Sequence, residues 1–331
     1  MPVTMRDVAL EAGVSIKTVS RVVNQQGEIK DETRTRVLAA IDKLGFRPSK
    51  VARALVTSRT DTIGLLIGDI ANPYFSEVAR GVLDVAQEQN YDVFLCNTDG
   101  VPLTEKRALY SLIDHNIDGA IIYPTWKNKD WLPKFAQQSC PLVLVNSRTK
   151  PRKGVSQVRT EIKKGANIAV TYLIEKGHLH IGMIAGEVGP ISRIHRVSGY
   201  REALETNGIQ FRKEFVALGM PVMEHGFNAT KELLSKHPEI SALFCYNDLL
   251  AMGAVQSCKK MGLKIPEDIA VVGFDNISFS ALISPALTTI HVDKYEIGKR
   301  SASLLLQMLK EPDQESPVQF VDVELIERES A

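Results

Sequence analysis

The 331-residue sequence predicts an N-terminal all-α helix-turn-helix domain followed by an α/β core of two Rossmann-like lobes. Three observations carry this: a capped helical hairpin within the first 24 residues, alternation of strand-length apolar runs with amphipathic helices after residue 60, and a restart of that alternation near residue 160. In the hairpin, Thr4 and Asp7 form a capping box, and Val8, Ala9 and Ala12 give the first helix a small apolar face. Gly13 supplies the turn. Ser15 caps a second helix whose Val19, Val22 and Val23 pack back on the first, leaving Ile16, Lys17, Thr18 and Arg21 outward. That outward set suits a major groove: Arg and Lys reach guanine O6 and N7, Ser and Thr reach phosphates or base edges, and Ile meets a thymine methyl. An ordinary surface hairpin would share the helical pattern.

Charge separates the two readings. Residues 1 to 60 hold eleven Lys and Arg against six Asp and Glu, a local excess of five in a chain of net charge +1. A third helix is predicted over Asp31 to Leu44, with Val37, Ala40, Ile41 and Leu44 inward and Gly45 at its end. After Phe46-Arg47-Pro48 comes Ser49 to Thr57, a capped segment too short to be helical alone, which a basic linker would match equally well.

In the first half of the core, strands are predicted at Ile63 to Ile67, Asp92 to Cys96, Ala120 to Ile122 and Leu142 to Val145, with helices after Tyr74 and around Leu109. The second half reads as a helix over Ile168 to Ile174, a strand at Ile181 to Ile184, a helix from Tyr200, and strands at Leu243 to Cys245 and Ile269 to Val272. No dinucleotide or nucleoside-phosphate glycine motif is present. Cys96, Cys140, Cys245 and Cys258 lack metal-ligand spacing and read as buried free thiols, so neither cofactor nor metal is expected. With no membrane-length apolar run and no leader, the expectation is a reduced, cytoplasmic protein.

The run Asp7-Val-Ala through Val-Ser-Arg-Val-Val-Asn24, Glu32-Thr-Arg34, and Gly45-Phe-Arg-Pro48 resembles the lactose/galactose repressor (LacI/GalR) family. The resemblance continues through Asp69-Ile-Ala-Asn-Pro-Tyr-Phe75, Gly177-His178, Arg196-Val-Ser-Gly-Tyr200, Asn247-Asp248, Gly273-Phe-Asp275 and Pro285-Ala-Leu-Thr-Thr289. It implies a core similar to type I periplasmic sugar-binding proteins, and a homodimer whose heads read a pseudo-palindromic operator. The implied domains are a head at 1–46, a hinge at 47–60 and a core at 61–331. Within the core, the N-lobe takes about 62–160 and 291–320, and the C-lobe about 161–290 and 321–331. On DNA the segment after Pro48 becomes a hinge helix, with Lys50, Val51, Ala52 and Arg53 along the minor groove and Leu55 wedged into it. The implied DNA contacts on the head are Thr4, Ser15, Ile16, Lys17, Thr18, Arg21 and Asn24. One departure is Lys30, where a capping serine is usual, so that Asp31 caps instead or the third helix frays.

Open α/β sheets bind ligands beyond the carboxyl ends of their strands, where Asp69, Asn146, Asn247 and Asp275 stand. By resemblance the effector contacts are Tyr74, Phe75, Asn146, Ser192, Arg196, Asn247 and Asp275. Asn146, Glu161 and Pro221 depart from the usual Asp, Asp and aromatic residue, which leaves a sugar, a sugar acid or a similar metabolite open, while Arg148 and Arg193 permit an anion. The function implied is a ligand-controlled repressor. A solute-binding protein of a transport system would use the same lobes without DNA, and an enzyme would need Asp275 and Asp248 as an acid/base pair, without other supporting motifs. A return helix is implied at Ile297 to Leu309 and a last strand near Phe320 to Leu325; no heptad follows that strand, so a coiled-coil tetramer is not expected.

Overall fold

The computed structural model describes residues 3–24, 27–46, 59–125, 140–147, 149–150, 152–186, 190–313 and 317–331. Contacts divide the chain into two units, Met1–Thr60 and Asp61–Ala331.

In the first unit, α1 (Met5–Ala12), α2 (Ile16–Val23) and α3 (Asp31–Leu44) enclose Val8, Ala9, Ala12, Val19, Val22, Val37, Ala40 and Phe46. The Asp7 carboxylate accepts from the Thr4 N–H at 2.8 Å and the Thr4 hydroxyl at 2.7 Å, while Ser15 Oγ accepts from the Thr18 N–H at 3.1 Å. Each bond satisfies or orders a group that a helix start leaves open. Gly13 (φ 63°) and Gly45 (φ 61°) end α1 and α3 in the left-handed region, where a side chain is disfavoured. Neither alternative raised by Lys30 occurs: α3 begins at Asp31 with no side-chain cap, and Asp31 and Glu32 place negative charge in its first turn.

The second unit holds two six-stranded sheets. In the N-lobe, β1 (Thr62–Ile67), β2 (Asp92–Asn97), β3 (Gly119–Ile122), β4 (Leu142–Val145), β5 (Val155–Thr160) and β11 (Val318–Val321) lie in the order β2-β1-β3-β4-β5-β11. In the C-lobe, β6 (Ile181–Gly186), β7 (Val216–Gly219), β8 (Ala242–Cys245), β9 (Ala270–Asp275), β10 (Thr288–Val292) and β12 (Val323–Ile326) lie in the order β7-β6-β8-β9-β10-β12. All pairs are parallel except β10 with β12. Parallel strands covered on both faces need continuous apolar runs, and β1, β3, β4, β6, β8 and β9 are buried throughout.

Helices α4 (Pro73–Glu88), α5 (Pro102–Asp114) and α10 (Lys294–Lys310) pack on the first sheet, and α6 (Ile162–Glu175), α7 (Pro190–Thr206), α8 (Met223–Lys236) and α9 (Asp248–Lys260) on the second. The chain passes between lobes three times, at Glu161, at Asp293 and at Asp322. Cys140, Cys245 and Cys258 are buried free thiols as expected, but Cys96 is only half-buried, because it sits on edge strand β2. Among the described residues no helix is long and apolar enough to cross a membrane, and no group of His, Cys, Asp and Glu could hold a metal ion.

Candidate functional sites: an exposed recognition face and an interlobe cleft

In the first unit, burial of Val19 and Val22 turns the opposite face of α2 outward. Ile16 is 49% exposed, and Lys17 and Arg21, one helical turn apart, are exposed beside it. Thr4 and Ser15 are also exposed, but each is engaged in its cap. Thr18 and Asn24 are half-buried; the Thr18 hydroxyl lies 2.9 Å from Ser15 Oγ, and Asn24 Nδ2 donates to Ser20 Oγ at 3.3 Å. Ile16, Lys17 and Arg21 therefore have the freest side chains of the sequence-derived set. Lys50, Val51, Ala52, Arg53 and Leu55 lie outside the described residues.

In the second unit the sheets converge on a cleft of about 320 Å³, lined by residues that follow the carboxyl ends of the strands of both lobes. Tyr74, Phe75, Asn146, Ser192, Arg196, Asn247 and Asp275 all line it. On the N-lobe wall Tyr74, Phe75 and Tyr123 meet edge to face, with centroids 5.1 to 6.1 Å apart. Burial raises the pKa of both the Tyr74 and the Tyr123 hydroxyl, so both remain neutral donors. Asn146, at φ 53°, uses its carbonyl oxygen to accept from the Thr160 N–H at 2.7 Å.

On the C-lobe wall Arg196 is buried between two rings, its guanidinium carbon 4.2 Å from the Tyr246 centroid and 4.0 Å from that of Phe274. With both faces covered, the guanidinium offers only its edge. One edge nitrogen, Nη2, donates to Asp275 Oδ1 at 3.2 Å, while Nε is buried with no hydrogen-bond partner among the described residues. A buried donor left open is costly, and a bound acceptor would relieve it. Asp275 ends β9 at φ 108°, and burial pushes its carboxyl up to about 7 even though Arg196 pulls it down. Near neutral pH this carboxyl is poised either to donate or to accept.

Asn247 is committed within the protein: its Oδ1 accepts from the Leu250 N–H at 2.9 Å, capping α9, and its Nδ2 donates to the Pro221 carbonyl at 3.3 Å. Asp248 is buried behind the cleft, accepting from the Ile277 N–H at 2.8 Å, Ser280 Oγ at 2.7 Å and Thr289 Oγ1 at 2.5 Å. Arg193 lines a separate groove with Ile194 and Arg201, and Arg148 lies outside the described residues. The described lining carries Asp69, Asp99 and Asp275 against Arg196, a balance that disfavours an anion. Sequence reasoning missed Tyr123, Tyr246 and Phe274 as cleft residues. Tyr123 and Tyr246 directly follow β3 and β8, so the strand-end rule that selected Asn146 and Asn247 also reaches them.

Comparison with known proteins assigns both units to one family. Residues 4–49 match the family described as bacterial regulatory proteins, lacI family, and residues 60–329 match periplasmic binding proteins and the sugar binding domain of the LacI family. The chain is 35% identical to the HTH-type transcriptional repressor PurR of Aliivibrio fischeri (strain MJ11), over 99% of this chain and 98% of that protein. It is 33% identical to catabolite control protein A of Priestia megaterium, over 96% of each. A solved structure of the Lac repressor dimer bound to operator and the anti-inducer ONPF has a TM-score of 0.89 at 28% identity, covering 100% of this chain and 99% of that one.

Proposed function

The chain belongs to the LacI family of bacterial transcriptional regulators, and from that premise we propose that it acts in the cytoplasm as a homodimeric repressor switched by a small neutral polar effector held between its core lobes. One observation carries the reading: a single chain combines an exposed basic helix face with a cleft between its core lobes built around a buried Arg–Asp pair. Ile16, Lys17 and Arg21 read base edges in the major groove, and two heads match the two halves of a pseudo-palindrome. In the cleft, the open edge of Arg196 takes an acceptor of the effector, and Asp275 takes an adjacent hydroxyl or ring N–H. Tyr74 and Phe75 pack on the apolar face of the effector, while Asn146, Ser192 and Asn247 shape the remaining wall. Effector binding favours one lobe arrangement, and DNA affinity changes by the same coupling free energy that DNA exerts on the effector.

The test has two arms. Selection from a randomised duplex pool should return an inverted repeat bound in a salt-dependent way, and Arg21→Ala should lose about 10- to 100-fold in affinity for it. A thermal-shift panel of neutral saccharides, sugar acids and nucleobases should give a hit that Arg196→Met abolishes. Salt-independent binding would overturn the DNA arm; a hit indifferent to Arg196→Met would place the effector elsewhere.

A further inference from the structure

The passage from β10 to α10 holds a buried cation that the effector reading leaves unused. Lys294 is 1% exposed, and its ammonium donates to the carbonyls of Asp275 at 2.8 Å, Asn276 at 2.9 Å and Val292 at 3.1 Å. Three carbonyls match its three donors. Two of them belong to a turn in which consecutive non-glycine residues, Asp275 (φ 108°) and Asn276 (φ 52°), hold positive φ, a conformation that persists only where surroundings impose it. The turn is pinned from its other side as well. The Asn276 side chain accepts from Arg328 Nη2 at 2.7 Å, and its Nδ2 lies 3.1 Å from His291 Nδ1. Lys294 itself opens α10 of the N-lobe, so these carbonyls lie across the lobe boundary, and its charge partner stands on the neighbouring N-lobe helix: Glu77 Oε2, on α4, is 3.5 Å from Nζ.

We propose that Lys294 is a positioning residue for the cleft: rooted at the start of α10 in the N-lobe and held there by Glu77, it ties the C-lobe turn that presents Asp275, and with it the placement and charge of that carboxyl, to the N-lobe. The significance of this tie rests on the effector reading, but its existence does not. Asp275 is faced by Arg196 from α7, Asp248 from α9, Lys294 from α10 and Glu77 from α4, and by the hydroxyls of Tyr74, Tyr123 and Tyr246. Arg196 and Lys294 favour its charged form, whereas Asp248 and Glu77 oppose it. His291, beside Lys294, is also faced by Asp293, Glu324 and Glu77.

The direction in which the Asp275 pKa moves separates this role from generic packing. Loosening the site would admit water and lower that pKa towards the value of an ordinary carboxyl, whereas deleting only the Lys294 charge should raise it. Full-length protein carrying carboxyl-13C aspartate would be titrated by NMR, with the Asp275 resonance identified by its loss in Asp275→Asn. Lys294→Met should raise the midpoint by about one pH unit, a tenfold gain in proton affinity. An unchanged or lowered midpoint would overturn the proposal. Glu77 is 40% exposed, so Glu77→Gln keeps the fold whether or not Lys294→Met does. In that variant, amide hydrogen exchange across residues 273–278 should quicken at least about fivefold, because the Lys294 ammonium has lost its ionic anchor on α4. Unchanged exchange would overturn the part of the proposal that assigns Glu77 to holding the ammonium on the turn. Neither measurement uses a cleft ligand, so an absent effector would leave both outcomes intact.

Discussion

Replacing Asp275 by Asn should change how core stability depends on pH, and the sign is fixed by burial. The folded pKa of Asp275 is raised to about 7 from the ordinary 3.8, because the cavity penalises its charge more than Arg196 rewards it. The folded state therefore binds this proton more tightly than the unfolded state. The resulting stability is fully present below pH 3.8 and is lost as pH rises through about 7. A tenfold difference in proton affinity corresponds to about 1.4 kcal/mol, so between pH 5 and pH 8 the Asp275 contribution should fall by about 2–3 kcal/mol. His178 and His291 act in the opposite sense. Burial lowers both pKa values, so their contribution is fully present above the ordinary 6.5 and is lost as pH falls from there through the lowered folded values. Asp248, raised to about 6 by burial, loses its contribution as pH rises, like Asp275. The raw profile thus mixes signs. The difference between wild type and Asp275→Asn isolates the one carboxyl, since Asn Oδ1 can still accept from Arg196 Nη2. Urea unfolding at half-unit steps from pH 5 to pH 8 would measure it. A difference that stays constant to within about 0.5 kcal/mol across that range would refute the assignment of a raised pKa to Asp275.

Three further outcomes follow from packing and capping. Gly253→Ala should destabilise the core by about 1–3 kcal/mol in urea unfolding, because an added methyl on α9 would overlap the Met223 carbonyl oxygen at the start of α8. Ser15→Ala removes the acceptor of the Thr18 N–H and should cost the head about 1 kcal/mol, read by thermal melting of the head's far-UV signal. Asn247→Ala removes the cap of α9 and frees the Pro221 carbonyl in one step. A loss of about 1–2 kcal/mol at an unchanged urea slope is expected, and no loss would mean that water replaces both bonds.

The head was legible residue by residue because its signals are local. A capping box, a left-handed glycine and apolar spacing of three and four are each complete within one helix, and α3 begins and ends where the spacing places it, at Asp31 and Leu44. The core was legible where strands are uniformly apolar. It was not legible at several elements, among them β5, β7, β10 and α8, for physical reasons. Strand β5 buries Ser156 and Gln157, and β10 buries Thr288 and Thr289, so neither reads as an apolar run. In β10 the polar groups are served by distant residues: Ser330 Oγ accepts from the Thr288 N–H at 2.9 Å, and Asp248 accepts from the Thr289 hydroxyl. Strand β7 is a four-residue edge strand, and α8 carries Gly226 within its length, a weak helix former retained because α9 passes too close for a side chain. In the cleft, strand-end position selected Asp69, Asn146, Asn247 and Asp275, whereas Ser192 and Arg196 on α7 entered through the resemblance, and the sandwich of Tyr246 and Phe274 around Arg196 is a tertiary arrangement with no sequence period.

The interlobe geometry sets a condition on any effector of this protein. The two sheets share no strand and are joined by three single passages of chain, at Glu161, Asp293 and Asp322, two of which directly follow cleft residues, Thr160 and Val292. A change in lobe arrangement is therefore confined to a few backbone dihedrals at those passages, next to the bound molecule. A ligand shifts such an equilibrium only by the difference in its affinity for the two arrangements. Contact with Tyr74 and Phe75 alone, or with Arg196 and its two flanking rings alone, is the same in both arrangements, since each set moves as part of one lobe. A fragment that fills one wall of the cleft should consequently bind and raise the melting temperature while leaving operator affinity unchanged. Only a molecule long enough to touch both walls at once should move it, so fragments that shift operator binding from a single wall would show that the lobes are not the switch.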